Sequence, residues 1–357
     1  MKRNLLLLLA SILLLSLLLE IVVRIKDRRD GFGFFSSHRD LTRKMKPVIP
    51  FRTFGNPLYQ EIDGERYILS VHGERYPLKK EDNTFRVVAF GGSTTKNFVN
   101  GVHYPLLLQQ MLQKEYPQKH IEVINVAEDG YATPHSLIVF ALHVLSWNPD
   151  VVIMSHNIND LQAAYFPHLA FDYANKYGDP FFLPDYRSRF TLSNILFHRS
   201  HFYWMLKDRI ALAFDYKSNV AYRRTSYGND PPLLSKEVFQ RNLETFVTLA
   251  KARRIGIILA TQALEPSEEY WDRALRYKTY NDRVVYPLHE EFIAHHGVFN
   301  DIIRKVANEQ SVLLVDNSAL LAGDRQFFAD YVYYTKKGVE TLADNFFQFI
   351  VSKRLIK

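Results

Sequence analysis

The stretch Arg86–Thr95, which reads Arg-Val-Val-Ala-Phe-Gly-Gly-Ser-Thr-Thr, decides the fold that the sequence predicts. Its first half is an apolar run typical of a strand that is covered on both faces. The two glycines then allow a tight turn, and Ser93 comes where a following helix would begin. Serine is a favoured helix N-cap, so Ser93 alone indicates either a cap or a nucleophile exposed at a strand end.

Further apolar runs and intervening helix-like stretches extend this pattern along the chain. The predicted strands are Arg86–Phe90, Glu122–Val126, Asp150–Ser155, Gly256–Thr261 and Ser311–Asp316. The predicted helices are Tyr104–Glu115, Pro134–Leu145, Lys236–Arg253, Val298–Glu309 and Lys337–Lys353. Strands that alternate with helices indicate βαβ units, so we predict an α/β fold with an open, doubly wound parallel sheet.

The N-terminal segment predicts a membrane anchor. Leu5–Val23 is nearly unbroken apolar sequence with Glu20 as its only charge, and at about 1.5 Å per residue it spans close to 30 Å. No Ala-x-Ala cleavage site follows, which favours an uncleaved anchor instead of a signal peptide. The anchor would comprise residues 1–26 and contact the lipid bilayer through residues 5–23. Basic residues flank both ends of the run, so the charge pattern leaves the orientation open.

Composition excludes several classes of function. Residues 1–30 contribute +3 of the net charge of +7, and the rest lacks a basic stripe, so we predict no nucleic-acid partner. The absence of cysteine excludes disulfides, cysteine nucleophiles and cysteine-ligated zinc.

Residues 27–83 read as a polar arm, and residues 84–357 as one domain with an aromatic-rich insertion at 161–235. That insertion could line an acyl or sugar pocket or form a small satellite core, and a helix is expected near Leu192–Leu212.

Active sites of open α/β sheets gather at the carboxyl ends of the strands. Gly130 follows the second predicted strand and can present a bare backbone N–H or simply make a turn. Asn159 follows the third, where its amide can donate a hydrogen bond to an oxyanion or serve as an ordinary turn residue.

Four blocks together resemble those of the SGNH (GDSL-type) hydrolases, over roughly residues 84–350. They are Phe90–Thr94, Gly130, Asn157–Asp160 and Asp330–Gly338. The resemblance implies a three-layer α/β/α sandwich with a five-stranded parallel sheet in flavodoxin-like order. It also implies a membrane-anchored, extracytoplasmic ester hydrolase or acyltransferase that acts on O-acyl groups, such as O-acetyl groups of a saccharide, without a cofactor.

The same resemblance implies a role for each matched residue. Ser93 would be the nucleophile, and the oxyanion hole would consist of the Ser93 and Gly130 N–H groups and the Asn159 amide. Asp330 would orient a histidine three residues later, but position 333 is tyrosine. A phenol with a pKa near about 10 is a poor base for a serine hydroxyl at neutral pH.

Several explanations of this departure stay open. In one, the chain has lost catalysis and keeps its crevice for binding or assembly; in another, Tyr333 itself acts. His156 or His135 could substitute as the base by proximity to the matched blocks. The insertion supplies further histidines at His168, His198 and His201.

Two other interpretations are weaker. His289, His295 and His296 lie close in sequence, but no carboxylate is placed convincingly beside them, and we predict no metal site. A cytoplasm-facing membrane protein whose Ser93 turn binds an anion is the remaining alternative.

Overall fold

The structure is a computed structural model that describes residues 2–29, 54–177, 200–203, 205, 206, 209, 225–269, 285–321 and 323–356. These residues fall into two compact units. The first comprises the N-terminal helix and the residues between 200 and 209, and the second comprises the others. Much of the helix predicted near Leu192–Leu212 lies outside the described residues, although 201–203, 205 and 206 are helical.

Helix α1 of the first unit runs from Lys2 to Arg29. Its segment Asn4–Lys26 is long enough and apolar enough to cross a membrane. Most of its large apolar side chains are exposed, as for Leu6 at 67%, which suits a helix surrounded by lipid. The prediction of an apolar N-terminal helix of spanning length is confirmed.

A small antiparallel sheet opens the second unit, within the segment that the sequence indicated as a polar arm. It pairs in the order β1 (Tyr59–Ile62), β2 (Glu65–Leu69) and β3 (Arg75–Pro77). Tyr76 is buried, and its hydroxyl donates to the backbone oxygen of Val123 at 3.2 Å, so this sheet packs onto the α/β core. The sequence analysis did not predict these strands because each is short and largely polar.

Five parallel strands form the main sheet. They are β4 (Thr84–Gly91), β5 (His120–Asn125), β6 (Val151–Ser155), β7 (Gly256–Ala260) and β8 (Leu313–Val315). Their order, β5-β4-β6-β7-β8, is flavodoxin-like, and the fold prediction is confirmed. Strand β4 is buried along its whole length, which explains an apolar sequence without alternation.

Helices cover both faces of this sheet. They are α2 (Ser93–Lys96), α3 (Tyr104–Glu115), α4 (Thr133–Leu142), α5 (Ile158–Ala163), α6 (Ala174–Tyr177), α7 (Leu233–Ala252), α8 (His289–Glu309), α9 (Asn317–Leu321) and α10 (Lys336–Ser352). Short 3₁₀ helices lie at Val144–Trp147 and Arg325–Phe327. Helix α3 has its predicted bounds, whereas α8 begins at His289 instead of Val298.

Successive residues of β4 contact different helical layers, because the side chains of a strand point alternately to its two faces. Ala89 belongs to the apolar cluster shared with α3 and α10, where Tyr104 stacks on Phe346 with 5.1 Å between ring centroids. On the other face, the ring centroid of Phe90 lies 5.1 Å from that of Phe246 of α7. The sandwich therefore has an apolar layer on each side of the sheet.

A buried ion pair lies near the amino end of the sheet. Arg86 and Glu122 are register partners on β4 and β5, and both are shielded from water. The Arg86 guanidinium also donates to the backbone oxygens of Trp147 at 2.7 Å and Pro77 at 2.8 Å. The pair joins the main sheet to β3 at the end opposite to the crevice.

Candidate active site

Three central strands end at the same level. Gly91 of β4 is the register partner of Ser155 of β6, which in turn is the partner of Ala260 of β7. The segments beyond these residues carry the polar side chains of the crevice. Ser93 is the first residue of α2, two positions beyond the end of β4.

The two glycines before Ser93 are required by close packing. A Cβ atom on Gly91 would lie 2.0 Å from the Thr95 hydroxyl oxygen, and one on Gly92 would lie 2.5 Å from Asn159 Nδ2. Gly92 has φ −92°, a value open to any residue. The glycines therefore let Asn159 approach the main chain immediately before Ser93.

The loop after β5 lies beside the same turn. The Glu128 N–H donates to the Gly91 oxygen at 3.3 Å, and Asn159 Nδ2 donates to the Tyr131 oxygen at 2.8 Å. Gly130 has φ +76°, a conformation that glycine adopts at low cost. The matched residues of the first three blocks are thus neighbours in space.

Unbonded donors remain at this turn. Among the described residues, the backbone N–H groups of Ser93 and Gly130 have no hydrogen-bond partner. The Ser93 N–H is free because it belongs to the first turn of a helix. Asn159 Nδ2 carries a second proton besides the one it donates to Tyr131. This is a donor set suited to a developing oxyanion.

The Tyr333 phenol interacts with the Ser93 side chain. Burial raises the pKa of Tyr333 to about 12, the hydrogen bond with the Ser93 side chain acts in the opposite direction, and the Asp129 charge adds to the increase. At neutral pH only about one phenol in 10⁵ would then be ionised. The residue is nevertheless 37% exposed, so part of Tyr333 faces solvent.

Asp330 shapes the turn that carries Tyr333. Its carboxylate Oδ1 accepts hydrogen bonds from the backbone N–H groups of Val332 at 2.9 Å and Tyr333 at 2.7 Å. The carboxylate therefore fixes the main chain at position 333. Its assignment as the orienting acid of a triad stays a prediction.

His156 and His135 occupy buried positions with partners of their own. His156 Nε2 lies 2.7 Å from the Ser136 hydroxyl, and burial, with a contribution from His135, lowers the pKa of His156 to about 3. His135 Nδ1 accepts from the Ala132 N–H at 3.2 Å, and burial followed by the Lys176 charge lowers its pKa to about 3. Bases this weak hold a proton poorly at neutral pH.

The remaining histidines are dispersed. Within the described residues, no group of three or more histidine, aspartate or glutamate side chains could hold a metal ion. His295 lies between the Tyr165 hydroxyl at 2.9 Å and the Gly228 oxygen at 2.7 Å. His168 is exposed, His201 belongs to the first unit, and His198 lies outside the described residues.

Gln262, two residues beyond β7, connects the segments that follow β4 and β6. Its Nε2 donates to the Thr94 hydroxyl at 2.9 Å, and its Oε1 accepts from the Ile158 N–H at 2.9 Å. Because Thr94 follows Ser93 and Ile158 precedes Asn159, one buried amide holds the neighbours of both residues. Gln262 was not predicted from the sequence, since a glutamine after a strand carries no distinctive signal.

Asn157 stands where the resembling block has glycine, and its side chain has a use here. Its Nδ2 donates to Asn300 Oδ1 at 2.9 Å and to the His296 oxygen at 3.0 Å, which ties the loop after β6 to α8. The backbone is extended at φ −165°, so the position does not require glycine.

Lys96 links α2 to the loop after β5. Its ammonium lies 2.7 Å from both the Glu128 and Asp129 carboxylates. Burial opposes the charged form, but the two carboxylates outweigh it and raise the pKa of Lys96 to about 12. Glu128 is buried and also accepts from the Asn56 N–H at 3.0 Å. These contacts hold the loop that carries Gly130 against α2, the helix that begins at Ser93.

The comparisons with known proteins concern the fold. The chain is similar to solved esterases. It shares 14% identity and a TM-score of 0.43 with the lipase/acylhydrolase from Enterococcus faecalis, covering 75% of this chain and 96% of that one. For Axe2, an acetylxylan esterase from Geobacillus stearothermophilus, the identity is 17%, the TM-score 0.44 and the coverage 76% and 94%. For a GDSL-like lipase from Bacteroides thetaiotaomicron, the corresponding values are 14%, 0.41, 75% and 88%.

Similarities at this level assign no role to any residue. The chain matches no protein-family model and no curated protein.

Proposed function

We propose that the crevice at Ser93 binds an acyl ester and acts as an SGNH-type serine esterase or acyltransferase with a weakened base. The observation that carries the proposal is the Ser93 hydroxyl beside unbonded N–H groups of Ser93 and Gly130 and the Asn159 amide. This arrangement matches the needs of a tetrahedral intermediate, because donors meet the oxygen on which charge develops.

The proposed reaction follows the serine pathway. The Ser93 oxygen attacks the acyl carbon, the alcohol leaves with a proton, and water or another hydroxyl then takes the acyl group from Ser93. The proposed substrate is a small acyl ester or an O-acetylated saccharide. The four sequence blocks suggest this class, and one solved structure of similar fold is an acetylxylan esterase.

Tyr333 limits this reaction. A phenol with a pKa of about 12 cannot take the Ser93 proton at neutral pH, so turnover would depend on water or on the donors alone. Serine enzymes that lose one triad member retain about 10³–10⁴-fold acceleration over water. We therefore expect slow turnover.

A non-catalytic binding or assembly protein is the second candidate. The observation that favours it is the interaction between Tyr333 and the Ser93 side chain, because a protonated phenol can hold the Ser93 hydroxyl in place without activating it. The proposed placement is the same in both cases: α1 anchors the chain in a membrane, and the α/β unit lies on the extracytoplasmic side.

The test measures hydrolysis of an activated acetyl ester and of O-acetylated saccharides by the full chain in detergent. Ser93→Ala, Tyr333→His and the double variant are compared, with Tyr333→Phe as the matched control that keeps the ring. The proposal expects slow turnover that Ser93→Ala abolishes and Tyr333→His raises by about 10²-fold or more, since a general base contributes at least that much.

The outcomes separate the two candidates. Activity that appears only in Tyr333→His and disappears in the double variant would favour the binding protein. Turnover that survives Ser93→Ala unchanged, or no turnover in any variant, would contradict the esterase proposal.

A further inference from the structure

Helix α1 is exposed over most of its length, but its C-terminal half has one covered face. Among its described side chains, those with reduced exposure are Ser16, Leu19, Glu20, Val23 and Arg24. Spacings of three and four residues place these positions on one side of the helix. The first unit therefore contains a surface that packs along α1.

The residues that meet this face come from far along the chain. Glu20 Oε2 accepts from the Ser200 hydroxyl and the Phe202 N–H, both at 2.8 Å, and Oε1 accepts from the His201 N–H at 3.0 Å. The Ser200 hydroxyl oxygen also accepts from the Tyr203 N–H at 3.0 Å. The N–H groups of residues 201–203 thus each have a partner, and Glu20 is the partner of two of them.

The attachment lies near the end of the apolar run of α1. Arg24 donates to Glu20 Oε1 at 2.6 Å and is one helical turn later, a rise of about 6 Å. A carboxylate in an apolar run requires bonded partners, since unpaired charge is strongly disfavoured in hydrocarbon. Here Arg24 and residues 200–202 supply those partners near the C-terminal end of the apolar segment Asn4–Lys26.

The segment 200–206 also exposes apolar side chains at this level. Tyr203 is 38% exposed and Leu206 is 41% exposed, and their spacing of three residues places them on one side of the turn. On α1, the adjacent Ile21 and Ile25 are each 47% exposed. The turn that is hydrogen-bonded to Glu20 and the C-terminal part of α1 thus both expose apolar side chains.

We propose that segment 200–206 lies in the membrane interface, attached to α1 through Glu20, with Tyr203 and Leu206 in contact with lipid. The bilayer is the partner that the chemistry favours, because the segment is hydrogen-bonded to the apolar helix α1, it exposes Tyr203 and Leu206, and tyrosine suits the boundary between lipid and water. The inference rests on the proposed anchoring by α1, and it adds a second, internal contact with the membrane.

The test uses nitroxide labels, which can be placed one at a time because the chain has no cysteine. The full chain is reconstituted in phosphatidylcholine–phosphatidylglycerol liposomes with a label at Leu206→Cys. Ile12→Cys, 53% exposed on α1, reports the bilayer, and Leu233→Cys, 66% exposed in the second unit, reports water. Power saturation compares collisions with oxygen, which partitions into lipid, and with a water-soluble nickel chelate.

We expect a ratio of oxygen to nickel collisions at position 206 that is several-fold higher than at 233. Glu20→Ala should move the ratio at 206 to the value at 233. Ser11→Ala should not, because the Ser11 hydroxyl bonds only within α1, to the Leu7 oxygen at 2.8 Å. The Ile12 label in the Glu20→Ala chain checks that α1 itself stays inserted.

Four results would overturn the inference. Nickel access at 206 equal to that at 233 would place the segment in water. Protection of the 206 label from both reagents would mean that protein covers it. A lipid-like ratio unchanged by Glu20→Ala would remove the attachment. Nickel access at Ile12 would reject the proposed anchor and the inference with it.

Discussion

Asp160, directly after Asn159, should make the fold less stable as the pH rises from acid to neutral. It is fully buried, and its carboxylate accepts hydrogen bonds from the Thr133 N–H at 3.1 and 3.2 Å and from the Thr133 hydroxyl. Burial raises the pKa of Asp160 to about 6 from 3.8, although the Thr133 bonds and the Lys176 charge oppose the increase. The folded chain therefore keeps a proton that the unfolded chain releases between these two values.

The sign of the pH dependence follows from this difference. The stability is fully present below the unfolded pKa and is lost as the pH rises through the folded value. The loss reaches about 3 kcal/mol at pH 8, of which about 1 kcal/mol has already occurred at pH 4.5. Asp160→Asn keeps an acceptor for Thr133 and cannot ionise. Between pH 4.5 and 8, we expect the variant to gain about 2 kcal/mol in unfolding free energy relative to the parent chain.

Urea denaturation of the full chain in detergent at several pH values measures this difference. Titrations common to both chains cancel in the comparison. Asp301→Asn is the control, because the Asp301 side chain is 73% exposed, and its curve should run parallel to that of the parent. A constant difference between Asp160→Asn and the parent across the whole range would refute the reasoning.

Three other substitutions test the sheet, the site and a helix end. Arg86→Met should lower the unfolding free energy by about 3–5 kcal/mol in urea titrations by leaving the buried Glu122 without its arginine partner, and Arg86→Met with Glu122→Leu should recover only part of it, because the Trp147 and Pro77 oxygens still lack their donor. If the esterase proposal holds, Gly92→Ala should reduce ester turnover by about 10²-fold through displacement of Asn159, with little change in far-ultraviolet circular dichroism. Thr335→Val removes the acceptor of the Gly338 N–H and should cost about 1 kcal/mol of thermal stability, whereas Thr335→Ser should cost less.

The main sheet could be predicted because its strands are continuous apolar runs between amphipathic helices. Strand β4 is buried on both faces, so its sequence identifies it without any knowledge of its neighbours. Strands β1–β3 gave no such signal, since each has three to five residues and only part of one face is covered. Short strands stabilised by tertiary contacts are the elements that local patterns miss.

The candidate site was predictable in part. Ser93, Gly130 and Asn159 follow strands whose ends meet, so their proximity could be anticipated from topology. Gln262 and Asn157 could not, because their importance depends on partners distant in sequence. The pKa of Tyr333 likewise depends on burial and nearby charges that the sequence does not record.

Strands β4, β6 and β7 end at one level, at Gly91, Ser155 and Ala260, and this alignment limits where the chain can change in length. Deleting one residue within β6 would draw Asn159 back by about 3.3 Å relative to Ser93 and turn the following side chains to the opposite face. Residues added beyond that level would lengthen a loop and leave the strand ends aligned, at a small entropic cost. Insertions and deletions among descendants of this sequence should therefore accumulate between the strands, and a library that varies loop length alone should recover far more folded variants than one that varies strand length.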